Sequence, residues 1–213
     1  MPLGDILVIK DTHRKAARAI TDLVLREWQE KKVTLAIGAE SGAGKSEIAH
    51  VVAANLFKSE RMLRSFIVHT DDFFLLPHKE RNELRKNTNL DSIGPSEIDF
   101  DELRNVLRKF THNGQMLIPI LEFITSSAHK LLVDFKDIDV LICEGLYAPI
   151  LDVTYKIFMD LTYHDTQQFR LERGKEVINE FRLQVLEREH QAVSRLREQV
   201  NYLISKDYSL ERR

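Results

Sequence analysis

Val33-Thr-Leu-Ala-Ile-Gly38-Ala-Glu-Ser-Gly42-Ala-Gly44-Lys45-Ser46 is the stretch on which the fold turns. Its first five residues, mostly apolar and ending at Ile37, read as a short buried strand. A loop of small residues follows, and from Ser46 to Phe57 the chain takes up helical spacing. Strand, glycine-rich loop, Gly-Lys-Ser and helix is the context of a phosphate-binding loop. Glycines let backbone N–H groups turn inward around phosphate oxygens, and the helix start adds its positive dipole end. Lys45 is placed to neutralise β- and γ-phosphates, and the Ser46 hydroxyl to ligate Mg²⁺. The expected cradle for a nucleoside triphosphate is therefore Ala39, Glu40, Ser41, Gly42, Ala43, Gly44, Lys45 and Ser46. The strict pattern G-x-x-x-x-G-K-[ST] puts glycine at position 39; this chain has Ala39, with Gly38 one place early. A plain strand-to-helix turn would use Gly42 and Gly44 but would give Lys45-Ser46 no purpose.

Composition narrows the class. The 213 residues, 43% hydrophobic and 30% charged, suit one α/β domain over residues 1–213 with a small insertion. Lys and Arg total 31 against 33 Asp and Glu, a formal net charge of −2, which argues against nucleic acid or an anionic membrane as partner. Cys143 is the only cysteine, so no intrachain disulfide can form and a reducing compartment is expected. Residues Met1 to Lys10 lack the basic start and cleavage site of a secretory leader, and no apolar run reaches membrane-spanning length. A soluble cytoplasmic protein is the expectation, with a homo-oligomer left open.

Upstream of the loop, Ala16, Ala17, Ile20, Leu23, Val24 and Trp28 share one face of a predicted helix packed on the main sheet. Downstream, Ser65 to Thr70 reads as a strand ending in Asp71-Asp72-Phe73-Phe74. Acidic residues there would sit at the carboxyl end of a parallel strand, where open α/β sheets bind ligands. The polar segment Pro77 to Asn89 is expected to be loop, continuing to Pro95, and Ser96 with Asp99 offers N-caps for a helix through about Phe110. Gln115 to Phe123 and His129 to Phe135 form a predicted hairpin, an excursion spanning about 112–136. Asp139 to Cys143 reads as a fully buried strand followed at once by Glu144-Gly145, and Tyr155 to Met159 as another, ending at Asp160. One long helix is predicted from about Thr166 to Gln199, its inner stripe including Phe169, Ile178, Phe181, Val185, Val193 and Leu196. Val200 to Ser205 is the expected closing strand. Strands alternating with helices imply an α/β, three-layer sandwich of the P-loop kinase type, with a mostly parallel sheet.

Several pieces in order resemble the uridine kinase and phosphoribulokinase family of P-loop kinases. They are Glu40 to Ser46, Thr70-Asp71-Asp-Phe-Phe74, Asn89-Leu-Asp91 with Pro95 and Ile98-Asp-Phe100, Pro119-Ile-Leu-Glu-Phe123, Glu144-Gly-Leu-Tyr147, Glu172-Arg-Gly174 and Tyr202-Leu-Ile-Ser205. The resemblance runs from Val33 to Leu210. It implies ATP with Mg²⁺ as cofactors, and transfer of the γ-phosphoryl group to a hydroxyl of a nucleoside or nucleoside-like acceptor. Asp71 is then the base, Lys45 the phosphate cation, and Arg170 and Arg173 the arginines of a lid over about 162–176. Ser46, Asp71 and Glu144 are implied around the metal, and Asp71, Phe74, Asp91, Leu121 and Glu122 around the acceptor. Asp72 rivals Asp71, since the pattern alone does not separate them.

The chain departs from the resemblance in two places. The stretch between Asp160 and Glu172-Arg-Gly174 is short, so lid arginines are fewer. Where uridine kinases have a Tyr that stacks on the pyrimidine, this chain has Leu121, and the family's following His falls near Ser126, with His129 too late to match. An aliphatic side chain has no stacking face. Uridine and cytidine are accordingly expected to be poor substrates unless Phe74, Phe123 or Tyr147 has taken over the stacking. A non-nucleoside alcohol, such as a sugar phosphate or pantothenate-like acceptor, is the alternative, with a non-catalytic nucleotide-binding relative behind it. A switch GTPase is disfavoured: Asp91-Ser-Ile-Gly94 follows a polar segment rather than a buried strand, and no Asn-Lys-x-Asp occurs.

Overall fold

Helices on both faces of a parallel sheet leave its central strands no contact with water, which is why they read as unbroken apolar runs. The computed structural model describes residues 6–122, 127–173 and 179–213, without the side chains of 172 and 173. In chain order the strands are β1 (Val33–Gly38), β2 (Ser65–His69), β3 (Gln115–Leu121), β4 (Ala128–Asp134), β5 (Val140–Gly145), β6 (Tyr155–Met159), β7 (Tyr202–Ile204) and β8 (Leu210–Arg212). The helices are α1 (Asp11–Glu27), α2 (Lys45–Lys58), α3 (His78–Asn87), α4 (Phe100–Thr111), α5 (Gln167–Arg173) and α6 (Glu180–Ser194). The main sheet has six strands in the order β2-β5-β1-β6-β7-β8, parallel except for the final β7–β8 pair, and β3–β4 is a separate antiparallel hairpin. The expected α/β architecture with a hairpin excursion is present.

Strand alternation feeds two cores. Leu35, Ile37, Val140, Ile142 and Ile157 face α1 and α2, where they meet Ile20, Val24, Ile48, Val52 and Leu56. Leu141, Cys143, Phe158 and Leu203 face the other way, onto Leu103 and Phe110 of α4, Met116 and Val133 of the hairpin, and Val193 of α6. Register sets the functional edge: His69 lies beside Glu144, and Ile37 and Gly38 lie beside Glu144 and Gly145. The carboxyl ends of three neighbouring strands, β2, β5 and β1, therefore finish level. There is no room for a side chain at Gly145, where a Cβ would stand 1.7 Å from Thr70 Oγ1. Gly145→Ala is expected to cost about 3 kcal/mol, the upper range for overpacking, read from the urea midpoint. A loss under about 0.5 kcal/mol, the scale of a neutral surface change, would contradict this packing.

Three expectations need correction. Pro77 to Asn89 is not loop: most of it is α3. Its inward residue is Arg85, while Leu84 is 40% exposed, so no apolar stripe advertises the helix. The single helix from Thr166 to Gln199 is instead α5, α6 and a 3₁₀ turn at Arg195–Gln199. Asn179, extended at φ −114°, starts α6 anew by accepting the Arg182 N–H on its side chain. The chain also continues past the predicted last strand into β8, turning at Tyr208, which has φ +63°. By contrast Asp99 caps α4 as expected, its Oδ1 accepting from Glu102 N at 2.9 Å.

Candidate functional site

The phosphate loop has its geometry from two glycines and one helix. Gly42 and Gly44 adopt φ of +80° and +90°, values costly for other residues. At Gly44 a Cβ would also meet His13 Nε2 of α1 at 2.5 Å, so α1 backs the loop. Ala39 is fully buried and does not have positive φ, which explains why alanine is tolerated where the strict pattern asks for glycine. Lys45 opens α2 and reaches back over the loop, its Nζ donating to the Glu40 carbonyl at 2.9 Å. The Glu40 carboxylate points away from the cradle, accepting from Tyr163 N at 2.7 Å and pairing with His190 Nδ1 at 2.6 Å. Glu40 thus contributes backbone to the loop, and its side chain ties the loop to α6.

Ser46 Oγ donates to Glu144 Oε1 at 2.8 Å, and His69 Nδ1 approaches the same oxygen at 2.5 Å. Burial alone would raise the Glu144 carboxyl. The His69 hydrogen bond and charge, with Lys45 and Ser46, outweigh it and hold Glu144 below the ordinary range. Burial lowers His69, but the same contact with Glu144 outweighs it and raises the imidazole above its ordinary value. No sequence motif marks His69. It is found only through the β2–β5 register that sets it beside Glu144.

Asp71 and Asp72, inseparable by pattern, are separated by their partners. Asp72 is 8% exposed, and its Oδ1 accepts from Leu121 N at 2.9 Å, clamping the hairpin onto the end of β2. Burial pushes its carboxyl up to about 6 against the opposing Leu121 N–H and His69. Asp71 is exposed to solvent just beyond the end of β2. Burial and then Glu144 raise its carboxyl; Lys45, Arg81 and His69 act the other way.

The other expected residues are less uniform. Arg170 is buried, its Nη1 donating to Tyr163 O at 2.5 Å and Thr166 Oγ1 at 2.8 Å, with its stem against Gly42. Thr166 Oγ1 also donates to Ser41 O at 3.1 Å, so α5 is tied to the phosphate loop. Phe74 is half-buried under the Arg81 guanidinium, 3.4 Å from the ring centroid. Leu121 and Glu122 are half-buried at the hairpin end, and Glu122 lies 3.4 Å from the exposed His129. Asp91 stands apart: it is exposed and pairs with Arg188 of α6 at 3.2 Å. The side chains of Arg173 and Glu172, with Phe123, Ser126, Gly174 and Ile178, lie outside the described residues.

Magnesium fits this donor set. Ser46 and Glu144 offer hard oxygens side by side at the phosphate loop, with Asp71 acting electrostatically on Glu144's neighbourhood. Among the described residues no group of three His, Cys, Asp or Glu side chains forms a cage. Mg²⁺ at nucleotide sites needs only one or two carboxylates, completing its shell with waters and phosphates.

Comparison with known proteins follows the same lines. The profile of the phosphoribulokinase / uridine kinase family matches residues 34–168. The uridine kinase of Ureaplasma parvum serovar 3 is 25% identical over 125 residues, 59% of this chain and 58% of that protein. The chain thus spans just over half the length of the curated relatives it matches. A solved structure described as a possible uridine kinase from Bacillus stearothermophilus superposes with TM-score 0.57 at 16% identity, over 86% of this chain and 95% of that one. The D-glycerate 3-kinase of Cryptococcus neoformans gives 0.61 at 13% identity, over 95% and 98%. These structures share the fold. Among the described residues no helix is long and apolar enough to cross a membrane.

Proposed function

The chain belongs to the phosphoribulokinase / uridine kinase family, and from that premise we propose that it transfers the γ-phosphoryl group of ATP to a hydroxyl of a small acceptor. The observation that carries this reading is the convergence of Lys45, Ser46, Glu144 and Asp71 on the level carboxyl ends of β1, β5 and β2. Phosphoryl transfer asks for positioned charge more than for covalent chemistry. Backbone N–H groups from Gly42 to Ser46, with the Lys45 ammonium, hold the phosphates and meet charge as it develops. Ser46 and Glu144 would hold Mg²⁺, which would supply further neutralisation of phosphate charge. His69 keeps Glu144 ionised and oriented. Asp71 takes the proton of the acceptor hydroxyl as its oxygen bonds to the γ-phosphorus and ADP leaves. Asp72, committed to Leu121 N–H, serves as the hairpin's anchor.

The acceptor end favours a non-nucleoside alcohol. Leu121 has no stacking face, its amide is engaged by Asp72, and the Phe74 ring is covered by Arg81. Base–aromatic stacking is worth about 1–3 kcal/mol per base, and neither residue is free to supply it. Uridine and cytidine are expected to give kcat/KM values below about 10³ M⁻¹s⁻¹, under the ordinary enzyme range. ADP release with Mg·ATP tests this. A value near 10⁵ M⁻¹s⁻¹ for uridine, typical of an evolved substrate, would restore the nucleoside reading.

A further inference from the structure

Two buried hydrogen-bond donors beside Asp71 lack partners. Arg81 on α3 has a buried Nε with none, and Tyr147, 1% exposed just beyond β5, has an Oη with none. The two lie in one neighbourhood: Arg81 stacks on Phe74, which packs against the apolar cluster that contains Tyr147, and the same four charged groups, Asp71, Arg85, Glu97 and Glu189, act on each. Two of those carboxylates are already engaged. Glu97 accepts both Arg85 Nε at 2.7 Å and Nη2 at 2.8 Å, and Glu189 lies 3.4 Å from Arg85 and 3.3 Å from Arg182. Among the described residues no carboxylate comes within ion-pair distance of Arg81. Its guanidinium is instead held by stacking on Phe74.

A buried guanidinium N–H and a buried phenol hydroxyl with nothing to bond are costly to keep in a folded chain. They become favourable when a ligand brings oxygens to them. A guanidinium stacked on a ring keeps its in-plane donors aligned, a geometry matched to carboxylate or phosphate. It also offsets the repulsion between Asp71 and an anionic acceptor, which a neutral acceptor would not require. The Arg85–Glu97–Glu189–Arg182 network behind it joins α3, the turn at Pro95–Glu97 and α6 into a rigid wall.

We propose that Arg81 and Tyr147 form an oxyanion-binding subsite for the acceptor, and hence that the acceptor is a small alcohol bearing a carboxylate or phosphate group near its reacting hydroxyl. This rests on the kinase reading above and names its substrate class. Arg81 escapes sequence reading because its segment shows no apolar period, and Tyr147 is legible there only as a ring, since nothing marks its hydroxyl as unpaired.

The test compares acceptors that differ only in the anion: D-glycerate against glycerol for a carboxylate, and ribose 5-phosphate against ribose for a phosphate, with uridine as a neutral nucleoside. ADP release gives kcat and KM, and fluorescent-ATP titration gives nucleotide affinity separately. The charged member of one pair should be preferred by about 100-fold in kcat/KM, the effect of one charge-assisted hydrogen bond to an ion. Arg81→Gln should erase most of that preference, chiefly through KM, Arg81→Lys should restore part of it, and Tyr147→Phe should lower it less. Nucleotide affinity should stay the same in all three. Equal use of the neutral members or uridine, unaffected by Arg81→Gln, would overturn the subsite and leave the kinase reading standing. Tight nucleotide binding with no ADP release from any of these acceptors would overturn both.

Discussion

Lys45→Ala is expected to lower kcat for phosphoryl transfer by about 10³-fold or more, within the range for removing a key transition-state cation. The ammonium is half-buried and makes one hydrogen bond of 2.9 Å, to the Glu40 carbonyl of its own loop. A bound phosphate would compete with that carbonyl for the same ammonium. The melting temperature should move by only a degree or two, as for a surface change of a few tenths of a kcal/mol. Steady-state kinetics and a thermal melt on the same preparation separate the two effects. Turnover within a few-fold of the parent would sink the phosphate-loop assignment.

Asp71→Asn should reduce acceptor phosphorylation by about 10²–10⁴-fold, the usual contribution of a general base, with nucleotide affinity nearly unchanged. Asparagine keeps the size and the solvent contact of the accessible Asp71 side chain and loses its charge and its ability to take a proton. Asp72→Asn is the informative control. Its Oδ1 accepts from Leu121 N, and an amide oxygen can still accept, so the hairpin stays anchored. The loss of activity there should be about tenfold or less, under the range for a general base. The reverse pattern, with Asp72→Asn inactive and Asp71→Asn active, would exchange the two roles.

The phosphate loop, the central strands and the hairpin were legible because each carries a local signal. β1 and β5 are apolar on both faces, Gly42 and Gly44 precede Lys45-Ser46, and Asp99 stands where a cap is required. The failures share a cause: they depend on partners distant in sequence. α3 is held by Arg85 reaching Glu97 and Glu189 rather than by buried leucine, so hydrophobic periodicity had nothing to register. The break before α6 rests on one asparagine side chain, and β8 exists because β7 offers it an edge. Within the site, Lys45, Ser46, Asp71 and Glu144 were readable as motif positions. His69 on Glu144, Asp72 on Leu121 and Arg81 on Phe74 span gaps that only the folded chain closes. Asp91, chosen from motif order, is exposed and pairs among the described residues with Arg188 of α6.

The central claim is that the cleft moves a phosphoryl group rather than merely binding nucleotide. Transfer of label from γ-phosphate-labelled ATP, measured with the parent and with Asp71→Asn in the presence of the glycerate and ribose 5-phosphate series, tests it most directly. Label is expected in at least one acceptor with the parent, and background label with Asp71→Asn at undiminished ATP binding. Labelled acceptor at equal rates in both, or ATP bound tightly by the parent with no labelled acceptor at all, would contradict it.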